Sequence, residues 1–199
     1  SSAGTFAAGT STITLDGTSA QTMRGSTFHN LSIANAAGVT MLTDETVNGT
    51  LTLTSGNFSI GAHTLTLNGA VAAGGGSLAG GVTSNILVGG SGTGTTLPAL
   101  TLNNLTLDRT AGDSLAGDVT INGALTITNG TLRTGASTVI LGPGGTLSEA
   151  AGQPVAGSLR TTRDVTGTAG TESFGNIGAE IVLNGVAPGT TTVVRKTGS

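Results

Sequence analysis

Residues 48 to 69, NGTLTLTSGNFSIGAHTLTLNG, decide the fold. Apolar residues alternate with Thr and Ser in three short runs, and each run is closed by Gly or by Asn-Gly. A period of two that is broken by turn residues is typical of strand, turn, strand, turn, strand. Because neighbouring side chains on a strand point to opposite faces, Leu51 and Leu53 are predicted to face inward and Thr52 outward. One such unit cannot bury its apolar face alone, so it has to stack on others.

The same pattern recurs further along the chain as a 74-residue internal repeat. Setting residues 30–67 against 104–141 without a gap gives 16 identical residues at 38 aligned positions. Strand starts recur at intervals of roughly 14 to 21 residues, which is the length of one coil of a parallel β-solenoid. The sequence therefore predicts an all-β protein, a parallel β-solenoid of the right-handed β-helix type with about ten coils. At about 4.8 Å per coil, the rod would be about 45 to 50 Å long.

The chain is predicted to divide into a solenoid body and a more charged C-terminal segment. The body covers residues 1–153, with repeat units at about 30–103 and 104–153, and residues 5–29 are expected to form an entry coil shielded by Phe6 and Phe28. Residues 154–199 concentrate Arg, Asp, Glu and Lys, and two strands are predicted near 180–183 and 191–194. This segment is interpreted as a last polar coil or as a junction to a following module. The start at SSAG, without Met, suggests a processed or excised piece of a longer protein.

Composition excludes several functional classes. The 199 residues include 35 Gly and four Phe but no Trp, Tyr or Cys, and the formal net charge is -3 with seven Lys and Arg. Nucleic-acid binding is not expected, because the chain has neither a basic patch nor Trp or Tyr for base stacking. No apolar run approaches the length that a membrane-spanning helix needs. The lack of Cys excludes disulfides and thiolate metal sites.

A Q-x-x-x-G step that leads into an F-x-N-L strand is formed by Gln21, Gly25, Phe28, Asn30 and Leu31. With NGTLTLTSGNFSIGAHTLTL, FGNIGAEI and PGTTTVVRKTG, this step resembles the repetitive β-solenoid regions of large secreted and cell-surface proteins of the Bacteroidota and related bacteria. The resemblance covers nearly the whole chain. It implies a secreted or cell-surface location and an architectural role.

Three carboxylates and an arginine are the strongest candidates for chemistry. Asp108, Asp113 and Asp118 fall within one coil, with Arg109 beside the first. β-Helices that cleave polysaccharides gather such residues on one strand face, but spacings of five place these in turns. They are interpreted as turn-forming residues, with a weak cation site and catalysis as alternatives.

The remaining polar signals have structural interpretations. His29 and His63 are expected at turn edges without a metal, and the run Gly74 to Gly76 lacks the Lys and the helix of a phosphate loop. Asn residues recur beside the strands and are expected to hydrogen-bond along the rod axis. They are Asn30, Asn48, Asn68, Asn104 and Asn122. No catalytic, cofactor-binding or metal-ligating residue is predicted.

The sequence therefore favours a structural extracellular β-solenoid, either a surface stalk or a subunit that assembles end to end with other copies or adjoining modules. No enzymatic activity and no cofactor are expected. One alternative is an adhesin that binds a glycan or a partner protein through loops such as 74–84. A further alternative is ice binding through outward Thr side chains in a Thr-x-Thr pattern. Outward side chains that lie in register from one coil to the next form a row that we call a rank. The outward positions from coil to coil are predicted to be Thr14, Ser32, Thr52, Thr66, Leu87, Thr106, Thr126 and Ile140.

Overall fold

The computed structural model describes residues 9–198, and the regular elements in that range are all β-strands. They wind into a parallel β-solenoid in which each turn contributes one strand to each of three sides. Most strands pair with the equivalent strand of the next turn. Thr12 lies beside Asn30 at one end of the rod, and Leu132 lies beside Val155 towards the other. The predicted fold class is confirmed, but the predicted count of ten coils is too high. The chain makes about eight turns, which gives a rod about 38 Å long.

The three sides are built from short strands. Side 1 starts with β1 (Thr12–Leu15), β4 (Asn30–Ala34), β7 (Leu51–Ser55) and β10 (Val71–Ala73), and resumes with β13 (Thr96–Leu97) and β16 (Asp113–Leu115). Side 2 contains β2 (Gln21–Met23), β5 (Val39–Met41), β8 (Asn57–Ser59), β11 (Ser77–Ala79), β14 (Leu100–Leu102) and β17 (Val119–Ile121). Side 3 contains β3 (Thr27–Phe28), β6 (Glu45–Val47), β9 (Thr64–Leu67), β12 (Asn85–Val88), β15 (Asn104–Asp108), β18 (Ala124–Asn129) and β20 (Thr146–Glu149).

Two long strands turn the corner between sides 1 and 2. They are β19 (Leu132–Leu141) and β21 (Val155–Val165). The first residues of β19 pair with β16 and its last residues with β17, and β21 follows β19 along both parts. Sides 1 and 2 are therefore joined in the C-terminal half of the rod.

Apolar ladders fill the interior. Leu51 and Leu53 are buried, as predicted, and Thr52 between them is partly exposed. On side 3 five buried aliphatic residues lie in register from one turn to the next, and each is at most 2% exposed. These are Leu65, Ile86, Leu105, Leu125 and Leu147. A narrow coil stacked on itself thus makes a dry core from Leu, Ile and Val, and it needs few aromatic side chains.

The 74-residue offset does not correspond to a whole number of turns. It relates β4 to β15, which is eleven strands later and lies on side 3 instead of side 1. The local contacts are nevertheless the same at both places. Asn30 Oδ1 accepts the N–H of Thr50 at 2.8 Å, and Asn104 Oδ1 accepts the N–H of Ala124 at 2.8 Å. The repeated residues therefore specify how one turn sits on the next, whichever side they occupy.

Glycine is required where two turns approach each other closely at a corner. Gly56 and Gly130, which the 74-residue offset relates, have φ of +72° and +82°. A Cβ on either would overlap a carbonyl oxygen of the turn below, that of Asn35 or that of Arg109. Only glycine combines this conformation with so little space.

The C-terminal segment closes the end of the solenoid with antiparallel strands. They are β22 (Ala169–Ser173), β23 (Glu180–Asn184) and β24 (Gly189–Thr197). Both predicted strands are present, but β23 pairs with β22 and β24 pairs with β21. Phe174, Ile177 and Leu183 from this segment are buried and join the core. At the other end, Phe28 is buried as expected, whereas Phe6 lies outside the described residues.

Candidate functional site

Sides 1 and 2 are both interrupted in the middle of the stack, and this break is its main irregularity. On side 1, β10 and β13 do not pair with each other, and on side 2 neither do β11 and β14. Instead, the N–H of Val71 donates to Thr95 Oγ1 at 2.8 Å. The corner after β10 is the run Gly74 to Gly76, and the corner after β13 contains Pro98, which has no N–H to donate. Part of the segment 74–84, which was expected to be a loop, is strand β11.

An apolar groove of about 150 Å³ opens at this break. Leu53 and Leu78 line it from the core, and Val71, Pro98 and Ala116 line it from the corners. A cavity of this size and character can hold one small apolar group. None of its lining residues is titratable, so the groove offers no group for acid–base chemistry.

The arginine of the predicted carboxylate cluster is buried beside the same break. The Arg109 side chain is fully buried, and its guanidinium donates to four main-chain carbonyls from successive turns. These are the oxygens of Leu67 at 2.9 Å, Gly69 at 3.1 Å, Gly89 at 2.8 Å and Thr93 at 3.1 Å. Arg109 therefore connects the corners that follow β9, β12 and β15 by donating to main-chain carbonyls there.

Asp113 neutralises this charge. Its Oδ1 lies 3.4 Å from Arg109 Nη1 and accepts the N–H of Thr95 at 2.8 Å, while its Oδ2 has no hydrogen-bond partner. Burial raises the pKa of Asp113 above its ordinary value, and the hydrogen bond from Thr95 and the charge of Arg109 act against that rise. Because both side chains are shut off from solvent, the pair can hold the fold together but cannot reach a substrate.

The other two carboxylates of the cluster lie at the surface. Asp108 accepts a hydrogen bond from Asn129, and Asp118 accepts the N–H of Thr138 at 2.8 Å, as expected for residues that organise turns. Within residues 9–198 no group of three His, Asp or Glu residues comes together as metal ligands. A sequence signal for the burial of Arg109 exists, because it follows Leu105 and Leu107 at the same inward period of two.

The histidines and asparagines occupy corners. His63 precedes β9 with Nδ1 3.8 Å from Asp44 Oδ1, and His29 separates β3 from β4. Asn amides bond along the rod axis as predicted: Asn68 Nδ2 donates to Asn48 Oδ1 at 2.8 Å. These contacts use the polar groups to join one turn to the next.

The outward Thr positions form separate ranks on different sides. The predicted single rank was wrong because it combined residues from all three sides. The longest rank, on side 3, consists of Thr27, Thr46, Thr66, Leu87, Thr106, Thr126 and Ser148. The neighbouring rank two residues earlier is chemically mixed. It contains Thr64, Asn85, Asn104, Ala124 and Thr146.

A second, polar groove of about 400 Å³ lies near the C-terminal end. β19 bulges between Arg133 and Thr138, where it has three more residues than β21 opposite, and Gly157 takes φ of +120° beside the bulge. Ser158 and Lys196 complete the groove. Lys196 is the one charged residue among those that line the groove.

Searches with this sequence and structure found no matching protein family, no similar curated protein and no similar solved structure. The resemblance to bacterial surface proteins therefore stays a prediction from sequence. In residues 9–198 no helix has the length and apolar character needed to cross a membrane.

Proposed function

We propose that this chain is a structural module, a rigid spacer in a secreted or cell-surface protein. The observation that carries the proposal is side 3, on which seven strands stack in parallel without a break along the rod. Each turn contacts mainly its neighbours, so the architecture makes a stiff object whose length scales with the number of turns. The one buried charged pair among the described residues serves this architecture, because Arg109 bonds carbonyls of neighbouring turns.

The C-terminal segment favours a stalk over a continuous fibre. Phe174 and Ile177 cover the apolar end of the last turns, so further turns cannot continue the core directly through that end.

The spacer proposal is tested by shape and location together. Far-UV circular dichroism should show strand without helix, and small-angle X-ray scattering should fit a rod about 38 Å long per chain. Protease treatment of intact source cells should release peptides of this protein before those of a cytoplasmic marker. A helical spectrum would refute the architecture, and release only after lysis would refute the surface location.

Adhesion through residues 74–84 is the second candidate, because the apolar groove lies beside that segment. Sugar sites generally stack a ring on Trp or Tyr, and this chain has neither. A glycan array should therefore give no signal above background. A saturable glycan hit that is lost when the segment is replaced by Gly and Ser would favour the adhesin.

Ice binding is the third candidate and is the least supported by the arrangement of side chains. Leu87 interrupts the longest hydroxyl rank, and the rank beside it holds Asn and Ala as well as Thr. We expect no thermal hysteresis beyond the colligative value. A hysteresis gap that disappears when Thr66 and Thr106 are both changed to Lys would replace the spacer proposal.

A further inference from the structure

The last described strand along the rod, β24, has a partner strand on only one of its two edges. It runs antiparallel to β21 over nine residues, from Gly189 to Thr197, and no other described strand pairs with it. Its outer edge therefore presents main-chain N–H and C=O groups at the C-terminal end of the stack. Such an edge is a template for another strand.

The composition of β24 suits pairing with another strand. Residues 190–194 read TTTVV, a run of β-branched residues without Pro or charge. Five large apolar side chains are exposed in residues 9–198, and three of them lie in this end of the molecule: Val182, Val186 and Val194. Of these three, Val194 lies on the outward face of β24 itself, beside the unpaired edge.

We propose that the partner of β24 is the β24 strand of a second copy of this chain. When the two β24 strands run antiparallel about a two-fold axis at Val193, they pair along their whole length. The outward side chains of both strands then lie on the same face of the sheet. Lys196 then lies opposite the partner's Thr190, and Val194 lies opposite the partner's Thr192. Since the interface is the same surface on both copies, it closes at a dimer.

Charge complementarity supports this register. Thr190 is paired with Asp164 of β21, and both are on the exposed face together with Lys196. In the dimer Lys196 faces the partner's Asp164 across two strand spacings, about 9.6 Å between main chains, which a long lysine side chain can bridge. Neither residue makes an ion pair with the described part of its own chain. Because of the two-fold symmetry, the dimer contains this contact twice.

The inference deepens the proposed structural role and rests on it. Strands of a solenoid stack along the rod axis, so β24 pairing joins two rods tail to tail and doubles their length. The result is a closed pair with two N-terminal ends pointing outward, and not an open fibre. The dimer and the spacer role can be refuted separately, because a chain that stays monomeric can still be a rigid spacer.

Sedimentation equilibrium of the intact chain tests the assembly. We expect a species of twice the 19.1 kDa of one chain. Lys196→Asp should weaken the dimer at least tenfold, Asp164→Lys should do the same, and the double variant should regain most of the affinity. Arg24→Asp, a charge change at the exposed far end of side 2, is the matched control and should leave the mass unchanged.

Cysteine cross-linking tests the register, and the chain offers a clean background because it has no Cys. At the two-fold axis the Val193 residues lie directly opposite each other, at a separation of about 4.5 to 5.5 Å between Cα atoms that suits a disulfide. Val193→Cys should therefore oxidise to a covalent dimer. Thr191→Cys is on the same face, but in the dimer the two introduced sulfur atoms, one from each copy, are about four residues apart along the strands. This variant should therefore stay reduced.

A chain that sediments at 19.1 kDa up to several hundred micromolar would overturn the inference. A dimer whose affinity is unchanged by the charge substitutions would place the interface elsewhere, and so would equal cross-linking at positions 191 and 193. Either result would also overturn the inference. Circular dichroism of each variant separates these results from loss of folding, and scattering of the monomeric variants tests the spacer proposal by itself.

Discussion

Replacing Arg109 with Met should destabilise the protein strongly. The substitution keeps the volume of the aliphatic part but removes every guanidinium hydrogen bond to the carbonyls of the neighbouring turns. It also leaves Asp113 buried without a counter-charge. Breaking a buried pair by removing one partner costs about 3 to 5 kcal/mol. We expect a decrease of that size in the free energy of unfolding at pH 7.

The pH dependence identifies Asp113 as the cause. Its pKa in the folded protein is already above the ordinary 3.8 because of burial, and loss of Arg109 removes one of the interactions that restrain the rise. A group whose folded pKa is raised binds protons more readily in the folded state. The penalty from Asp113 is therefore full at neutral pH and is relieved as the pH falls through the folded pKa. Arg109→Met should lose less stability at pH 4 than at pH 7, and adding Asp113→Asn should recover part of the loss at pH 7.

Urea unfolding followed by far-UV circular dichroism measures these changes, since the chain has no Trp or Tyr to report by fluorescence. The matched control is Arg24→Met, which changes an exposed arginine and should shift the free energy of unfolding by less than about 0.5 kcal/mol. A loss below about 1 kcal/mol for Arg109→Met, or a loss independent of pH, would refute the assigned role of the pair.

Three other sites test the packing and the charges of the fold. Leu125→Ala should cost about 2 to 5 kcal/mol in urea unfolding because the side chain is fully buried, whereas Thr126→Ser should cost little; the reverse order would mean that the faces are misassigned. Gly130→Ala should lower the melting temperature by more than a surface Gly152→Ala control, because the new Cβ meets a carbonyl oxygen below it at Gly130 and nothing at Gly152. Equal losses would contradict the close approach of the two turns. Glu149 is partly desolvated, which acts to raise its pKa, but hydrogen bonds from Arg195 and from the Val155 N–H lower it overall. The stabilisation it provides is therefore present above the ordinary value of 4.5 and is lost as the pH falls through the lower folded pKa. Glu149→Gln should remove that acid-side slope from a plot of unfolding free energy against pH, and an unchanged slope would exclude the pair as its source.

The sequence by itself determined the fold class and the faces of the strands. Alternation is a local property, so Leu51 and Leu53 could be placed inside before any tertiary contact was known. The polar residues at the corners were equally predictable, because Asn30 and Asn104 bond the main chain one turn away wherever the coil is stacked. These contacts depend on spacing along the chain and on the next turn only.

Only the tertiary structure decided which side each strand occupies. The three sides are built from similar short strands with similar corners, so the sequence carries no mark of the side, and the 74-residue offset relates strands on different sides. For that reason the coil count was too high and the Thr ranks were combined wrongly. The break in side 1 was hidden too, because it depends on Pro98 and the run Gly74 to Gly76 meeting at one corner from different turns. Arg109 shows the division: its inward direction follows from its spacing after Leu105 and Leu107, but its partners, the carbonyls of Leu67 and Gly89, come from earlier turns that only the stacking brings beside it.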